Sequence, residues 1–336
     1  MRKYLIHILK VAIPSAIICW LVASIDAEQW HDLTRRHIDW SLLSAAFLLE
    51  FFALCLTFVR WYWLVRVLGI SFSLADAFRL SFLGYLFNFV SVGSVGGDLF
   101  KAFFIAREQP GRRTEAVASV VVDRVVGMYA LMLVASGAIL LGGLPSDSPV
   151  LTALCRVTLL ATLIVGAVLV AAMIPALTEG RVVGFLTSLR KIGPILERLV
   201  VSLRAYRSQK LAMTGILSMS MLVHGILTLA VFLIAKAVFG NCPPLIDHLV
   251  IVPMSMVAGA LPFTPSGLGS FEFAMDELFR LVSPQSEALV SGVLIALVYR
   301  LVTIAIAAVG VVYYWACPVK VPASLGAEMD SVEVAT

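Results

Sequence analysis

Long apolar runs recur along most of this 336-residue chain, and each is bounded by turn residues or charges. A membrane-spanning helix needs about 20 mostly apolar residues. The segments that meet this requirement are 4–25, 40–66, 114–142, 150–176, 211–239 and 285–316. The pattern predicts an all-α integral membrane protein with about six transmembrane helices. They form one membrane domain, residues 1–317, and a polar tail at 318–336 is expected to be disordered and cytoplasmic.

The first apolar segment resembles a signal peptide because Arg2 and Lys3 precede it. However, the apolar residues continue to Ile25, and Lys10 and Pro14 interrupt them. We therefore expect a retained first helix.

Two further apolar stretches, 75–106 and 245–282, are broken by loops rich in glycine, serine and proline. The longest arms that flank these loops have about 16 residues and would extend about 24 Å at a rise of 1.5 Å per residue. That length is shorter than the hydrocarbon core of about 30 Å. The sequence therefore predicts two re-entrant helical hairpins, whose irregular loops face the interior of the bundle.

Basic residues are distributed unevenly between the predicted loops. Segment 180–210 carries seven Lys or Arg residues, whereas loops 143–149 and 240–247 carry none. Because cytoplasmic loops are enriched in Lys and Arg, both termini are expected on the cytoplasmic side of a bacterial inner (plasma) membrane. Segment 180–210 is interpreted as a cytoplasmic amphipathic surface segment, either a connector attracted to anionic headgroups or a regulatory element.

The two hairpin regions resemble each other in the order of their features. Each has an apolar arm, a loop, an acid, a short arm and then a span with one arginine. Asp98 precedes Arg124 by 26 residues, and Glu272 precedes Arg300 by 28. Three predicted spans separate the hairpins, so the hairpins should enter from opposite faces as an inverted repeat, the architecture of many alternating-access transporters.

Arg124 and Arg300 are predicted to lie near the middle of the bilayer. A central arginine costs about 2.5–3.5 kcal/mol on insertion scales, and such residues are usually paired inside the bundle. Asp123 adjoins Arg124, but helix neighbours point about 100° apart, which makes Asp98 and Glu272 better partners. The pairs could pin the hairpins, bind substrate, or do both.

Two other charged residues are candidate contacts. Glu50 lies within the second span and either faces the same cavity or is a protonated acid bonded to a neighbouring helix. Lys101 could contact a phosphate or lie at the cytoplasmic face. The aromatic residues at 61–63 are interpreted as interfacial residues.

Composition narrows the function classes. The chain is 60% hydrophobic and only 14% charged, which is not typical of a soluble protein. A net charge of +4, located mostly in loops, gives no reason to expect nucleic acid as a partner. The five cysteines lack metal-ligand spacing, and no catalytic or nucleotide-binding motif occurs, so no metal, cofactor or enzymatic activity is expected. The alternatives are a lipid transporter, an enzyme or accessory subunit of polyisoprenyl, glycolipid or hopanoid metabolism, and a solute or ion transporter.

Three segments, 88–101, 122–124 and 261–272, together resemble the transmembrane region of lysylphosphatidylglycerol synthases, the flippase-like domain family. The resemblance covers nearly the whole chain. It implies that the protein moves a phospholipid or other anionic or glycosylated lipid between leaflets, with a lipid-modifying enzyme as a candidate partner. It also implies that the translocation site is framed by Gly93, Gly96, Gly97, Asp98, Arg124, Pro262, Pro265, Gly267, Gly269, Glu272 and Arg300.

The chain departs from this family in two respects. Val92 stands where many members carry proline, so the first loop is expected to be less rigid. The sequence also has no counterpart of the soluble aminoacyl-transferase domain of the two-part synthases. Synthesis of lysyl-lipid is therefore not expected of this chain.

Overall fold

A computed structural model describes residues 31, 33–89, 96–109, 111–142, 148–174, 204, 206–260, 269–282 and 290–316. These residues form α-helices and no strand. The helices are α1 (Trp40–Val67), α2 (Leu74–Asn88), α3 (Gly96–Glu108), α4 (Arg113–Leu141), α5 (Pro149–Met173), α6 (Lys210–Phe239), α7 (Leu245–Ala260), α8 (Ser270–Val282) and α9 (Gly292–Ala316). The predicted all-α membrane fold is confirmed.

Five of these helices, α1, α4, α5, α6 and α9, are long and apolar enough to cross a membrane. They correspond to five of the six predicted spans, and the sixth, 4–25, lies outside the described residues, as do the tail and most of segment 180–210. The last span was predicted to begin at 285, but residues 290 and 291 are not helical and α9 begins at Gly292.

Short polar side chains begin several of the helices. Asp39 caps α1 by accepting hydrogen bonds from the backbone N–H groups of Ser41 and Leu42. Ser148 caps α5 in the same way, and Pro149 follows at the first helical position, where its missing N–H has no consequence. The loops between spans therefore carry the signals that define the helix ends.

The first hairpin is formed by α2 and α3, which pack against each other. The two backbones approach closely at Gly84 and Gly97, where a Cβ on Gly97 would collide with the Gly84 carbonyl group. Asn88 strengthens the contact because its Oδ1 accepts a hydrogen bond of 2.8 Å from the Gly97 N–H. Only glycine permits this approach of one helix to the other.

The second hairpin is formed by α7 and α8, which also pack against each other. Gly259 in α7 faces Phe271 in α8, where an added Cβ would come within 3.0 Å of the phenylalanine Cβ. Loops 90–95 and 261–268, which join the arms of the two hairpins, lie outside the described residues. The depth of the hairpins and their entry from opposite faces stay predictions.

Helices α1 and α6 pack along each other and contribute to two apolar cores. One core joins them to α7, α8 and α9, and the other joins them to α2, α3 and α4. The hairpins also pack crosswise, since α2 contacts α9 and α7 contacts α4. Each hairpin thus contacts the arginine-bearing helix that follows the other hairpin.

Candidate functional site

The first acid–arginine pair lies between α3 and α4. Asp98 is the third residue of α3 and Arg124 is the twelfth of α4. The Arg124 Nη1 lies 3.3 Å from the Asp98 Oδ2, with side chains 31% and 21% exposed. An acid in the first helical turn interacts favourably with the positive end of the helix dipole. The pair predicted from the sequence is therefore formed, and both of its side chains are partly exposed.

The second pair lies between α8 and α9. Glu272 is the third residue of α8 and Arg300 is the ninth of α9. The Arg300 guanidinium donates to Glu272 Oε1, and these side chains are only 12% and 18% exposed. Glu272 Oε2 also accepts a 2.8 Å hydrogen bond from the N–H of Gly269, whose φ of +86° suits glycine. This hydrogen bond corresponds to one of the two bonds of a capping box, and it fixes the carboxylate at the start of α8.

The two pairs have the same local construction. In both, the acid is the third residue of the helix that follows a loop, and the arginine lies in the first half of the next helix. The second pair is the more enclosed of the two, since both of its side chains are less exposed. This correspondence agrees with the internal similarity seen in the sequence.

A third ion pair, which the sequence analysis missed, joins α1 to α4. The Nε of Arg60 donates to Asp123 Oδ1 at 2.8 Å, and the side chains are 7% and 10% exposed. The Nη1 of Arg60 donates to Ser220 Oγ in α6 at 3.1 Å. Since Arg60 and Asp123 are opposite charges within predicted spans, the need to pair buried charges could have suggested this contact.

Several charged groups surround Asp98. It interacts electrostatically with the cations Lys101, Arg124 and Arg60 and with the carboxylate of Asp123. The Lys101 ammonium lies 4.9 Å from the centre of the Trp61 ring, an ordinary distance for a cation–π contact. Lys101 therefore belongs to this cluster. Trp61 is fully buried, so its interpretation as an interfacial residue is wrong.

Glu50 lies deep in the bundle and is 2% exposed. Its Oε2 has no hydrogen-bond partner among the described residues. The carboxyl group interacts electrostatically with Tyr85 of α2 and Tyr299 of α9. Tyr299 packs against Phe271, with ring centres 5.5 Å apart. Phe271 directly precedes Glu272 in the sequence.

The remaining predicted site residues divide into two groups. Gly96 begins α3, Gly97 makes the close hairpin contact, and Gly269 precedes α8. The others, Gly93, Pro262, Pro265 and Gly267, lie outside the described residues. Across the part of the chain that the structure describes, no group of three His, Cys, Asp or Glu residues is placed to hold a metal ion.

Comparison with protein families gives one match over most of the chain. The family described as the lysylphosphatidylglycerol synthase TM region matches residues 7–310. This range contains the three ion pairs described above, Glu50 and both hairpins. No individual curated protein matches the chain significantly.

Proposed function

Because the chain belongs to the lysylphosphatidylglycerol synthase transmembrane family, we propose that it moves an anionic or glycosylated lipid between the membrane leaflets. The family match and the apolar helices support an integral membrane protein with a lipid-related function. The proposed membrane is the bacterial plasma membrane, with both termini cytoplasmic. A lipid-modifying enzyme that supplies the cargo is the proposed partner.

The observation that carries this proposal is the group of cations around Asp98. Lys101 of α3, Arg124 of α4 and Arg60 of α1 all interact with the Asp98 carboxylate. A lipid phosphate is a suitable ligand for such a group, and arginine suits it because the guanidinium offers parallel N–H donors. The N-terminus of α3, which carries Asp98 in its first turn, adds a favourable helix dipole.

Arg124 is the residue that the lipid phosphate would contact first, because its pair with Asp98 is long and partly exposed. At 3.3 Å and partial exposure, this pair is longer and more accessible than the charge-assisted bond of Arg60 to Asp123 at 2.8 Å. An incoming phosphate could therefore displace Asp98 without breaking the most buried pair. Arg60 would then keep Asp123 paired and away from the lipid.

The second pair gives the headgroup a counterpart site on the other half of the molecule. Glu272 and Arg300 repeat the construction of the first pair, and the hairpins contact each other's partner helices. In an inverted repeat, a site at the interface of the halves can be exposed to each side in turn. The headgroup would pass from the first pair to the second as the hairpins rearrange.

Transbilayer movement of a labelled lipid in proteoliposomes tests this proposal. Arg124→Ala and Arg300→Ala should each slow the movement of an anionic phospholipid by about tenfold to a hundredfold, the effect of losing a charged hydrogen bond of about 1.5–3 kcal/mol. Arg280→Ala is the matched control, since Arg280 is an exposed arginine of α8 that pairs with Glu277 in the same helix. Equal rates in all four proteins would refute the site.

Lipid analysis distinguishes translocation from enzymatic activity. A strain that lacks the gene should retain every lipid species and alter only the distribution of one species between the leaflets. Loss of a lipid species would instead support an enzyme or an essential accessory subunit.

A further inference from the structure

The carboxyl group of Glu50 is buried where no ordinary structural role accounts for it. Glu50 lies in the middle of α1, which packs against α2, α4, α6 and α9. It is 2% exposed, and Oε2 has no hydrogen-bond partner among the described residues. A structural acid in a membrane bundle is normally satisfied by hydrogen bonds or an ion pair.

The helices on two sides of Glu50 present tyrosines to it. Tyr85 comes from α2 in the first hairpin, and Tyr299 comes from α9 beside Arg300. Thr303, one helical turn after Tyr299, lies close to the Tyr85 hydroxyl group. The cluster of Glu50, Tyr85, Tyr299 and Thr303 thus links the first hairpin to the helix that carries the second ion pair.

Charged groups on the other two packed helices are engaged elsewhere. On α4, Asp123 pairs with Arg60 and Arg124 pairs with Asp98. On α6, the ring of His224 contacts the Gly127 carbonyl oxygen at 3.0 Å.

The other titratable side chains of α6 are exposed. Lys236 is exposed, and its ammonium lies over the Phe232 ring. Lys210 is exposed at the first residue of the helix. Among the described groups, the cation connected to the Glu50 cluster is Arg300, which interacts with Tyr299 and is held by Glu272.

These contacts lead to a proton site. An ionised carboxylate without a cation is unfavourable in such an enclosure, whereas the neutral acid is tolerated. We propose that Glu50 binds and releases one proton in each transport cycle, and that release is coupled to the movement of Arg300 from Glu272 towards Glu50. This inference rests on the proposed lipid translocation and names the ion that drives it.

The charge balance of this step is complete. When the O–H bond of Glu50 breaks, the proton leaves to water and the electron pair stays on the carboxylate. Arg300 then compensates the new negative charge, while Glu272 keeps its hydrogen bond from the Gly269 N–H and its place at the positive end of α8. Rebinding of the proton returns Arg300 to Glu272 and resets the pair.

A pH gradient across proteoliposomes tests the coupling. Purified full-length protein is reconstituted with a labelled anionic phospholipid, and a potassium ionophore holds the membrane potential at zero. If one proton moves with each lipid, a gradient of one pH unit should sustain a concentration ratio of the labelled lipid between the two leaflets of about tenfold. This ratio should return to one when the gradient is dissipated. Glu50→Gln should abolish this ratio, whereas Glu108→Gln, which alters an exposed carboxylate at the end of α3, should preserve it.

A second measurement detects the proton on Glu50 independently of lipid transport. Infrared spectra of the wild type should contain the C=O stretch of a neutral, buried carboxylic acid, and Glu50→Gln should remove that band while the melting temperature stays close to that of the wild type. Unfolding of the Glu50→Gln protein would instead indicate a structural acid and overturn the proposal. Persistence of the infrared band in the variant would also overturn the proposal. The same holds if the leaflet ratio of the labelled lipid does not change with the pH gradient in the wild type, or if the variant keeps the wild-type ratio. If the wild type moves no lipid under any condition, the translocation proposal fails, and the infrared band still decides whether Glu50 carries a proton.

Discussion

Arg60 provides the most quantitative test of the packing around the first hairpin. Its guanidinium donates to Asp123 Oδ1 at 2.8 Å, to Ser220 Oγ at 3.1 Å and more weakly to the Asp123 carbonyl oxygen at 3.5 Å. Gly127 makes room for it, since a Cβ there would lie 3.3 Å from two of its nitrogen atoms. The substitution Arg60→Met keeps most of the side-chain volume and removes every donor.

The magnitude follows from these contacts. The charged hydrogen bond to Asp123 contributes about 1.5–3 kcal/mol and the bond to Ser220 about 1 kcal/mol. The Asp123 carboxylate would also stay buried without a cation, because its side chain is only 10% exposed. Breaking a buried pair from one side costs about 3–5 kcal/mol, so we expect Arg60→Met to lower the free energy of unfolding by that amount.

A double-mutant cycle provides the assay. Unfolding in mixed micelles is followed by circular dichroism for Arg60→Met, Asp123→Asn and the double variant. The double variant should be at least about 1 kcal/mol more stable than the sum of the single losses predicts, since contacting residues couple by about 0.5–3 kcal/mol. The exposed pair of Arg280 and Glu277, with side chains 59% and 43% exposed, should lose less than about 1 kcal/mol on Arg280→Met. Additive losses, or a loss below 1 kcal/mol for Arg60→Met, would refute the reasoning.

Further predictions concern the backbone contact of the first hairpin and the anchoring of the segment before α6. Gly97→Ala should destabilise the protein by about 1–3 kcal/mol because the new Cβ meets the Gly84 carbonyl, whereas Gly215→Ala, with open space at its Cβ position, should be neutral or stabilising. Melting temperatures compare the two, and equal values would contradict the close approach. Tyr206→Phe should cost about 1 kcal/mol by removing the 3.1 Å hydrogen bond from its hydroxyl group to the Leu64 carbonyl oxygen, which denaturant titration measures; an unchanged midpoint would argue against that bond.

The sequence predicted the helices well because bilayer thickness and turn residues constrain them strongly. The stretch predicted at 245–282 begins where α7 begins and ends where α8 ends, and the span predicted at 40–66 ends one residue before α1 does. The ion pairs of Arg124 and Arg300 were also predictable, since a charge in an apolar helix requires a partner and each arginine follows an acid at similar spacing. The start of the last span was less well predicted, since Val290 is apolar but precedes the helix, which begins at Gly292.

Other features depend on which helices become neighbours, which hydropathy does not specify. Arg60 lies near the end of an apolar span and beside aromatic residues, so it resembles an interfacial group, yet α4 and α6 enclose it. Trp61 is buried as well, packed against Phe72 and next to the Lys101 ammonium. Likewise, the missing partner of Glu50 Oε2 becomes visible only when α2 and α9 are placed beside α1.

The most direct test of lipid translocation removes the first ion pair as a unit. The double variant Asp98→Asn/Arg124→Gln removes both charges of the pair, so neither charge is left without its partner. If the pair were purely structural, this neutral replacement would cause little loss of function. The measurement is the rate of transbilayer movement of an anionic phospholipid in proteoliposomes, with the unfolding free energy determined in parallel. We expect a folded protein that moves the lipid at least about tenfold more slowly than the wild type, as expected for the loss of Arg124 alone. A double variant that moves lipid at the wild-type rate would contradict this expectation.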